Sequence, residues 1–262
     1  MSISSTQPLD RVRVVLVGTQ HPGNIGSAAR ALKTMGLRRL VLVSPERPPN
    51  AESAALAAGA EDVLAAAVTC DTLAEAVADC HLVLGSTARA RRIALEELWP
   101  RPAAARALDA AAGGAEVALV FGRERTGLTN EELDLCHAAV FIPADPGYSS
   151  LNLAAAVQVV AYELRLAWLG GAGPAQAPAP ATAPADADRE PPAPHAQMEA
   201  LFAHFDAALE AIDFHKGRAP EVAMRKLRRL LLRAAPEERE VRLLRAILAD
   251  VERTARLASG RN

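Results

Sequence analysis

Through residues 11–169, short apolar runs alternate with stretches of helical periodicity. The runs at 13–18, 40–43, 81–85, 117–121 and 139–142 are apolar almost without a break. Runs of that kind predict strands buried on both faces, not the one-sided alternation of a half-exposed sheet. Between them, 26–35, 54–58, 72–77 and 151–168 predict helices. Gly36 stops the first of these, and Asp71 or Thr72 caps the third. In the last, apolar residues recur at Leu153, Val157, Val160, Leu164 and Trp168. Strands alternating with helices imply an α/β domain with a mostly parallel sheet and helices on both faces.

The pattern changes at Gly170. Residues 170–195 are dominated by Ala and Pro and carry few large apolar side chains, so they predict an extended linker. Beyond it, 197–212, 221–232 and 238–256 predict amphipathic helices. The expected organisation is therefore an α/β domain over 1–169, a linker over 170–195 and a small helical domain over 196–262. That last segment is too small for a large core, so it is expected to pack on the first domain or on a second subunit. Positive charge is dense over 225–233. Taken alone, such a run reads as a solvated helix face. It also has the chemistry to hold a phosphate backbone.

Composition narrows the picture. Half of the residues are hydrophobic but only 3% are aromatic, so Ala, Val and Leu carry the core, which suits close helix-on-sheet packing. A net charge of -2 gives no global sign of nucleic-acid binding. The three cysteines, Cys70, Cys80 and Cys136, have neither metal-ligand nor CxxC spacing and are expected to be reduced, structural thiols in a cytoplasmic protein. No ligand cluster predicts a metal. No secretory segment opens the chain, and no apolar stretch reaches the ~18 residues of a membrane span.

Three polar segments carry the candidate chemistry: 21–30 (HPGNIGSAAR), 121–128 (FGRERTGL) and 142–153 (IPADPGYSSLNL). Each follows an apolar run and precedes a helical pattern, where α/β proteins build their ligand sites. Familiar machinery is missing from them. Gly18 and Gly23 have the separation of a phosphate loop, but Asn24 and Ile25 stand where Lys and Ser or Thr are required. No GxGxxG follows the first strand and no GxSxG is present, which excludes a standard dinucleotide site and a hydrolase elbow. Glu124, between Arg123 and Arg125, reads as a pocket acid positioning an arginine or as part of a surface salt-bridge cluster. Arg30 lies six residues after Asn24, two helical turns in, and can reach back toward the helix start.

Taken in order, 24–30, 119–128 and 148–154 closely resemble the three signature motifs of the SPOUT-class, SpoU/TrmH-type RNA 2'-O-ribose methyltransferases, and in particular the branch that modifies nucleotide 32 of tRNA. The resemblance is strong over 11–169, including 56–60, 85–89 and 157–163, and weaker through 224–230. It implies a deep trefoil knot, a homodimer and S-adenosyl-L-methionine as cofactor. Carried over by motif, Ser86, Thr87, Ala88, Gly122, Ile142, Ser149, Ser150 and Leu151 would line the cofactor pocket, with Gly122 letting backbone approach the adenosine. Arg30 would promote loss of the ribose hydroxyl proton. Asn24, Glu124, Ser150 and Asn152 would orient Arg30 and the substrate. A guanidinium stays protonated, so Arg30 is expected to hold phosphate and stabilise the developing alkoxide.

The resulting expectation is methylation of the ribose 2'-hydroxyl of nucleotide 32, cytidine or uridine, in the tRNA anticodon loop. Methylation of ribosomal RNA is the alternative, and a non-catalytic RNA-binding module is the third reading. The additional helices lie C-terminal rather than N-terminal, which favours tRNA over ribosomal RNA. The intact motif residues disfavour the non-catalytic module.

Overall fold

The computed structural model describes residues 7–88, 95–170, 192–216 and 219–259. Arg89 and residues 171–191 of the expected linker lie outside the described residues. The chain divides into two compact units, 1–181 and 182–262.

The first unit is built on a seven-stranded sheet in which every pairing is parallel. Its strands are β1 (Val12–Val17), β2 (Arg39–Val43), β3 (Val68–Cys70), β4 (Leu82–Thr87), β5 (Glu96–Leu98), β6 (Val117–Phe121) and β7 (Ala138–Phe141). They lie in the order β3-β2-β1-β6-β4-β7-β5. The helices are α1 (Pro22–Met35), α2 (Ala51–Ala57), α3 (Glu61–Ala65), α4 (Leu73–Ala76), α5 (Pro100–Ala112), α6 (Asn130–Asp134) and α7 (Leu153–Trp168). β7 inserts between β4 and β5, both of which precede it in the chain. That order is consistent with a knotted winding.

The strand pleat sorts the core into two layers. Val14, Leu16, Leu40, Leu42, Leu119 and Phe121 pack with α1, α5 and α7. Val15, Val17, Val41, Val43, Val83 and Val120 pack with α4 and α6 on the other face. Arg13 also enters this second layer and is only 7% exposed. Its guanidinium donates to Asp79 Oδ1 at 2.7 Å and to the Ala76 carbonyl at 3.1 Å. Burial opposes ionisation of Asp79, but the hydrogen bonds and charge of Arg13 outweigh it and hold the carboxyl below its usual range.

The predicted strands are present, and two short edge strands, β3 and β5, join them. α1 starts at Pro22, earlier than its periodicity suggests, because proline suits the first helical position. Its Gly26 allows α2 to approach: a Cβ there would stand 2.0 Å from the Ser53 carbonyl oxygen. Thr72 caps α4 by accepting from Glu75 N, as expected.

Cys80 and Cys136 are fully buried, and burial pushes both thiols up to about 12. Cys70 is half-buried. The histidines that follow the two buried cysteines complete the sheet ladder. His137 Nδ1 accepts from Val83 N at 3.0 Å, while His137 N donates to Val83 O at 2.8 Å. His81 makes the same two-way exchange with Glu116.

The second unit comprises α8 (His195–Ala211), α9 (Glu221–Ala234) and α10 (Glu238–Ser259). It has a small core of its own, formed by Met198, Leu201, Phe202, Leu232, Val241 and Leu248 among others. It also begins before the expected boundary. Ala193 N donates to Pro236 O at 2.7 Å, Pro192 bridges Glu237, and α8 starts at His195. Residues 192–195 are thus part of this unit rather than of a linker.

Candidate active site

A cleft opens beyond the carboxyl ends of β4, β6 and β7. It is lined by Ser86, Thr87, Ala88, Gly122, Ile142, Ser149, Ser150 and Leu151, which are all of the residues expected to bind cofactor. Leu128 and Leu133 add apolar surface, and Glu124, Arg125 and Thr126 add polar groups. Such a mixture of apolar lining and a few convergent polar groups suits a nucleoside-bearing ligand.

The structure adds a backbone requirement for glycine at Gly122. A Cβ at this position would stand 2.2 Å from Gly127 C and Leu128 N. The 123–127 turn folds back on Gly122, closed by the hydrogen bond from Gly127 N to Arg123 O at 2.8 Å. The chain's own backbone therefore requires glycine here, before any ligand is considered.

The three polar segments meet in a chain of hydrogen bonds. Asn24 Nδ2 donates to Glu124 Oε1 at 2.9 Å, and Asn152 Nδ2 donates to Asn24 Oδ1 at 2.9 Å. Asn152 Oδ1 in turn caps α7, accepting from Ala154 N at 2.9 Å and Ala155 N at 3.3 Å. At the other end, Glu124 accepts from Gln20 N at 3.0 Å and His21 N at 3.2 Å. Burial opposes the ionisation of Glu124, but these donors together outweigh it and hold its carboxyl below the usual range. Glu124 therefore faces donors alone, which an ionised carboxylate satisfies.

Glu124 positions Asn24 rather than an arginine. Of its neighbours, Arg123 turns away to pair with Glu132 through both nitrogens at 3.0 Å, and Arg125 is exposed. Arg123 also packs against Gly18, where a Cβ would meet its Nε at 2.7 Å. Arg123, Glu132 and Gln20 thus set the cleft's framework, and the site residues expected from sequence did not include them. The signal available was Thr129-x-x-Glu132, a capping box whose two hydrogen bonds are both present.

Arg30 stands apart from this network. It is exposed on α1 and, among the described residues, its side chain makes no hydrogen bond or ion pair. Asn24 and Asn152 border the cleft through Glu124, whereas Ser150 lines it directly and is exposed. Among the described residues, no group of three His, Cys, Asp or Glu side chains is placed to hold a metal. No described helix is long and apolar enough to cross a membrane.

Comparison with known proteins agrees with this geometry. Residues 11–162 match the model of the SpoU rRNA Methylase family, and residues 196–260 match that of the tRNA methyltransferase TrmJ, C-terminal domain. The chain is 48% identical over 248 residues to the tRNA (cytidine/uridine/adenosine-2'-O-)-methyltransferase TrmJ of Pseudomonas aeruginosa, covering 95% of this chain and 96% of that protein. It is 48% identical over 245 residues to the tRNA (cytidine/uridine-2'-O-)-methyltransferase TrmJ of Escherichia coli K12, covering 93% and 96%. Among solved structures it resembles TrmJ from Z. mobilis ZM4, with a TM-score of 0.76, 34% identity and coverage of 92% and 98%. A seven-stranded parallel sheet, a cleft lined by two motif segments and hydrogen-bonded to the third, and the appended helical unit agree with these matches, and the chain belongs to the TrmJ branch of the SpoU methylase family.

Proposed function

We propose that the protein methylates the ribose 2'-hydroxyl of nucleotide 32, cytidine or uridine, in the tRNA anticodon loop, using S-adenosyl-L-methionine. The observation that carries this reading is the Glu124–Asn24–Asn152 chain, which ties all three motif segments to one cleft. The cofactor supplies an activated methyl group on a sulfonium, and Ser86–Ala88, Gly122, Ile142 and 149–151 would hold it. The cleft fits such a group: Ile142, Leu128 and Leu151 offer apolar contact for a base, and the ionised Glu124 complements a positive centre.

The remaining work falls to positioning, which supplies several kcal/mol when reacting groups are aligned. Asn24 and Asn152 are locked at both ends and present fixed amides to the substrate. Arg30, unpaired and exposed, is available to a phosphate beside the target ribose and to the developing alkoxide.

A homodimer and a cytoplasmic location belong to the same proposal. On α7, Ala155, Val159, Tyr162, Leu166 and Leu169, just past its end, recur at alternating spacings of four and three, a seam suited to helix-on-helix packing. Tyr162 and Leu169 remain 48% and 65% exposed within the single chain. A second copy would cover them.

The test is methyl transfer from labelled cofactor to unmodified full-length tRNA, with the modified nucleotide mapped and the base at 32 varied. Label at the 2'-oxygen of nucleotide 32 is expected. Label on ribosomal RNA alone would move the reading to the ribosomal alternative. Cofactor binding without transfer to either RNA would refute an RNA methyltransferase reading.

A further inference from the structure

Of Phe, Trp and Tyr, the three motif segments contain only Phe121 and Tyr148. Phe121 is 2% exposed and belongs to the core. Tyr148 is 83% exposed, more than any other large apolar side chain among the described residues. Its side chain makes no hydrogen bond and no ring contact among them. A single exposed apolar residue is ordinary on a protein surface. What sets Tyr148 apart is its place. It immediately precedes Ser149, Ser150 and Leu151, which line the cleft, yet neither the cleft lining nor the Glu124–Asn24–Asn152 chain includes it.

The backbone beneath the ring is held on both sides. Asp145 O accepts from Tyr148 N at 3.0 Å, and Asp145 Oδ1 accepts from Gly147 N at 2.7 Å. Pro146, inside that turn, has little freedom of its own. Downstream, Asn152 caps α7 and donates to Asn24. Tyr148 thus stands on a short tether between two fixed points, at the edge of the cleft. A tyrosine side chain has two torsions, so ordering it against a ligand costs little entropy. Sequence-independent contacts to loop RNA take this form: a base leaves its own stack and lies on an aromatic ring. A nucleotide whose ribose is drawn to the cleft loses stacking partners, and Tyr148 offers a replacement.

We propose that the Tyr148 ring is the platform on which the base of the target nucleotide stacks while its ribose 2'-oxygen is presented to the cleft. This proposal rests on the tRNA methyltransferase reading and deepens it. Every base has a π face, so a stack accepts cytidine and uridine alike and positions the nucleotide without reading its edge. Tyr148 is on this view a substrate-positioning residue with no part in moving the proton or the methyl group.

The test uses the full-length protein and unmodified tRNA in two forms. One is intact; the other carries an abasic ribonucleotide at 32, which keeps the ribose and its 2'-hydroxyl but has no base. On intact tRNA, Tyr148→Ala should lower kcat/KM by about 5- to 150-fold, the effect of losing one base–aromatic stack. Tyr148→Phe keeps the π face and should stay within about threefold of wild type. Tyr148→Leu keeps apolar bulk alone and should resemble Tyr148→Ala. The loss should be alike with cytidine and with uridine at 32. On abasic tRNA, wild type and Tyr148→Ala should differ by less than about twofold, because the partner of the ring is already gone. Cofactor affinity and Tm should not change, since the ring is exposed and outside the cleft lining.

A Tyr148→Ala protein within about twofold of wild type on intact tRNA would overturn the stack. So would an equal loss on intact and abasic tRNA, which would give the ring a contact other than the base. Weakened cofactor binding would overturn it by moving Tyr148 to the cofactor. A fall in the molecular mass of the assembly would overturn it too, making the ring a contact between protein chains. Wild-type protein that neither binds nor methylates tRNA would instead defeat the methyltransferase reading itself.

Discussion

Replacing Glu124 tests the central geometry most directly. Its carboxylate is the shared acceptor for Asn24 Nδ2, Gln20 N and His21 N. Glu124→Ala leaves all three donors without that acceptor. His21 is exposed and recovers a water partner, but Gln20 and Asn24 are half-buried. At about 1 kcal/mol or somewhat more for each of the two half-buried donors, the first unit should lose about 2–3 kcal/mol. For a unit of this size that is a fall of about 4–12 °C in Tm by scanning calorimetry. Glu124→Gln keeps one oxygen for Asn24 and His21 but turns an amide nitrogen toward Gln20 N, so it should cost about 1 kcal/mol. The freed Asn24 no longer fixes Asn152. Methyl transfer to tRNA should therefore fall by about 10- to 100-fold in the Ala variant and by less than tenfold in the Gln variant. An Ala variant that melts within 1 °C of wild type and transfers methyl within a factor of about two would refute the argument, since both effects come from the same hydrogen bonds.

Other expectations follow from the same geometry. Arg30→Ala should leave stability within about 0.5 kcal/mol, because the side chain is exposed and unpaired, yet lower methyl transfer at least 100-fold; full activity would remove Arg30 from the mechanism. Gly122→Ala forces the 123–127 turn away from its 2.2 Å contact. It should destabilise the unit by about 1–3 kcal/mol and weaken cofactor binding more than tenfold in calorimetric titration; wild-type affinity would show that the turn is not needed for the cleft. Acid should act through carboxylates held below their usual range. Asp79 and Glu124 both lie there, so their stabilising contributions are complete above about pH 4, the ordinary carboxylate range, and are lost as pH falls through the depressed values. Asp79→Asn should thus lower Tm at pH 7 and flatten its decline in acid, and an unchanged acid profile would count against the Arg13–Asp79 pair.

Sequence patterns made the buried parts of the sheet legible because those strands are nearly unbroken apolar runs. β3 and β5 escaped notice for the opposite reason. They are three residues each at the sheet edges, and Glu96 and Glu97 of β5 carry no apolar signal. Two motif segments, together with residues 86–88, supply the cleft lining, and the third joins them through the Asn24–Glu124 hydrogen bond. What spacing left open was how they connect. Glu124 sits between two arginines in sequence, which suggests ion pairing, yet the 123–127 turn sends Arg123 to Glu132 and Glu124 to Asn24. At Gly122 the ligand-based expectation did not foresee the backbone contact with Gly127 and Leu128, because a contact five residues along the chain depends on turn geometry. Proline and alanine content suggested a linker reaching 195, but the hydrogen bond between Ala193 and Pro236 joins residues distant in sequence, which composition does not register.

The insertion of β7 between β4 and β5 also bears on the order in which the molecule acquires its ligand site. Ser86 and Thr87 end β4 and Ala88 follows it, Gly122 follows β6, and Ile142 follows β7, so no two neighbouring strands in the chain make the cleft alone. A chain that has paired β4 with β6 but has not yet seated β7 has no site. Ligand affinity is therefore confined to the completed fold, and ligand concentration becomes a thermodynamic lever on folding: at 100 times Kd, it adds about 2.7 kcal/mol to the stability of the finished unit and nothing to any state before it.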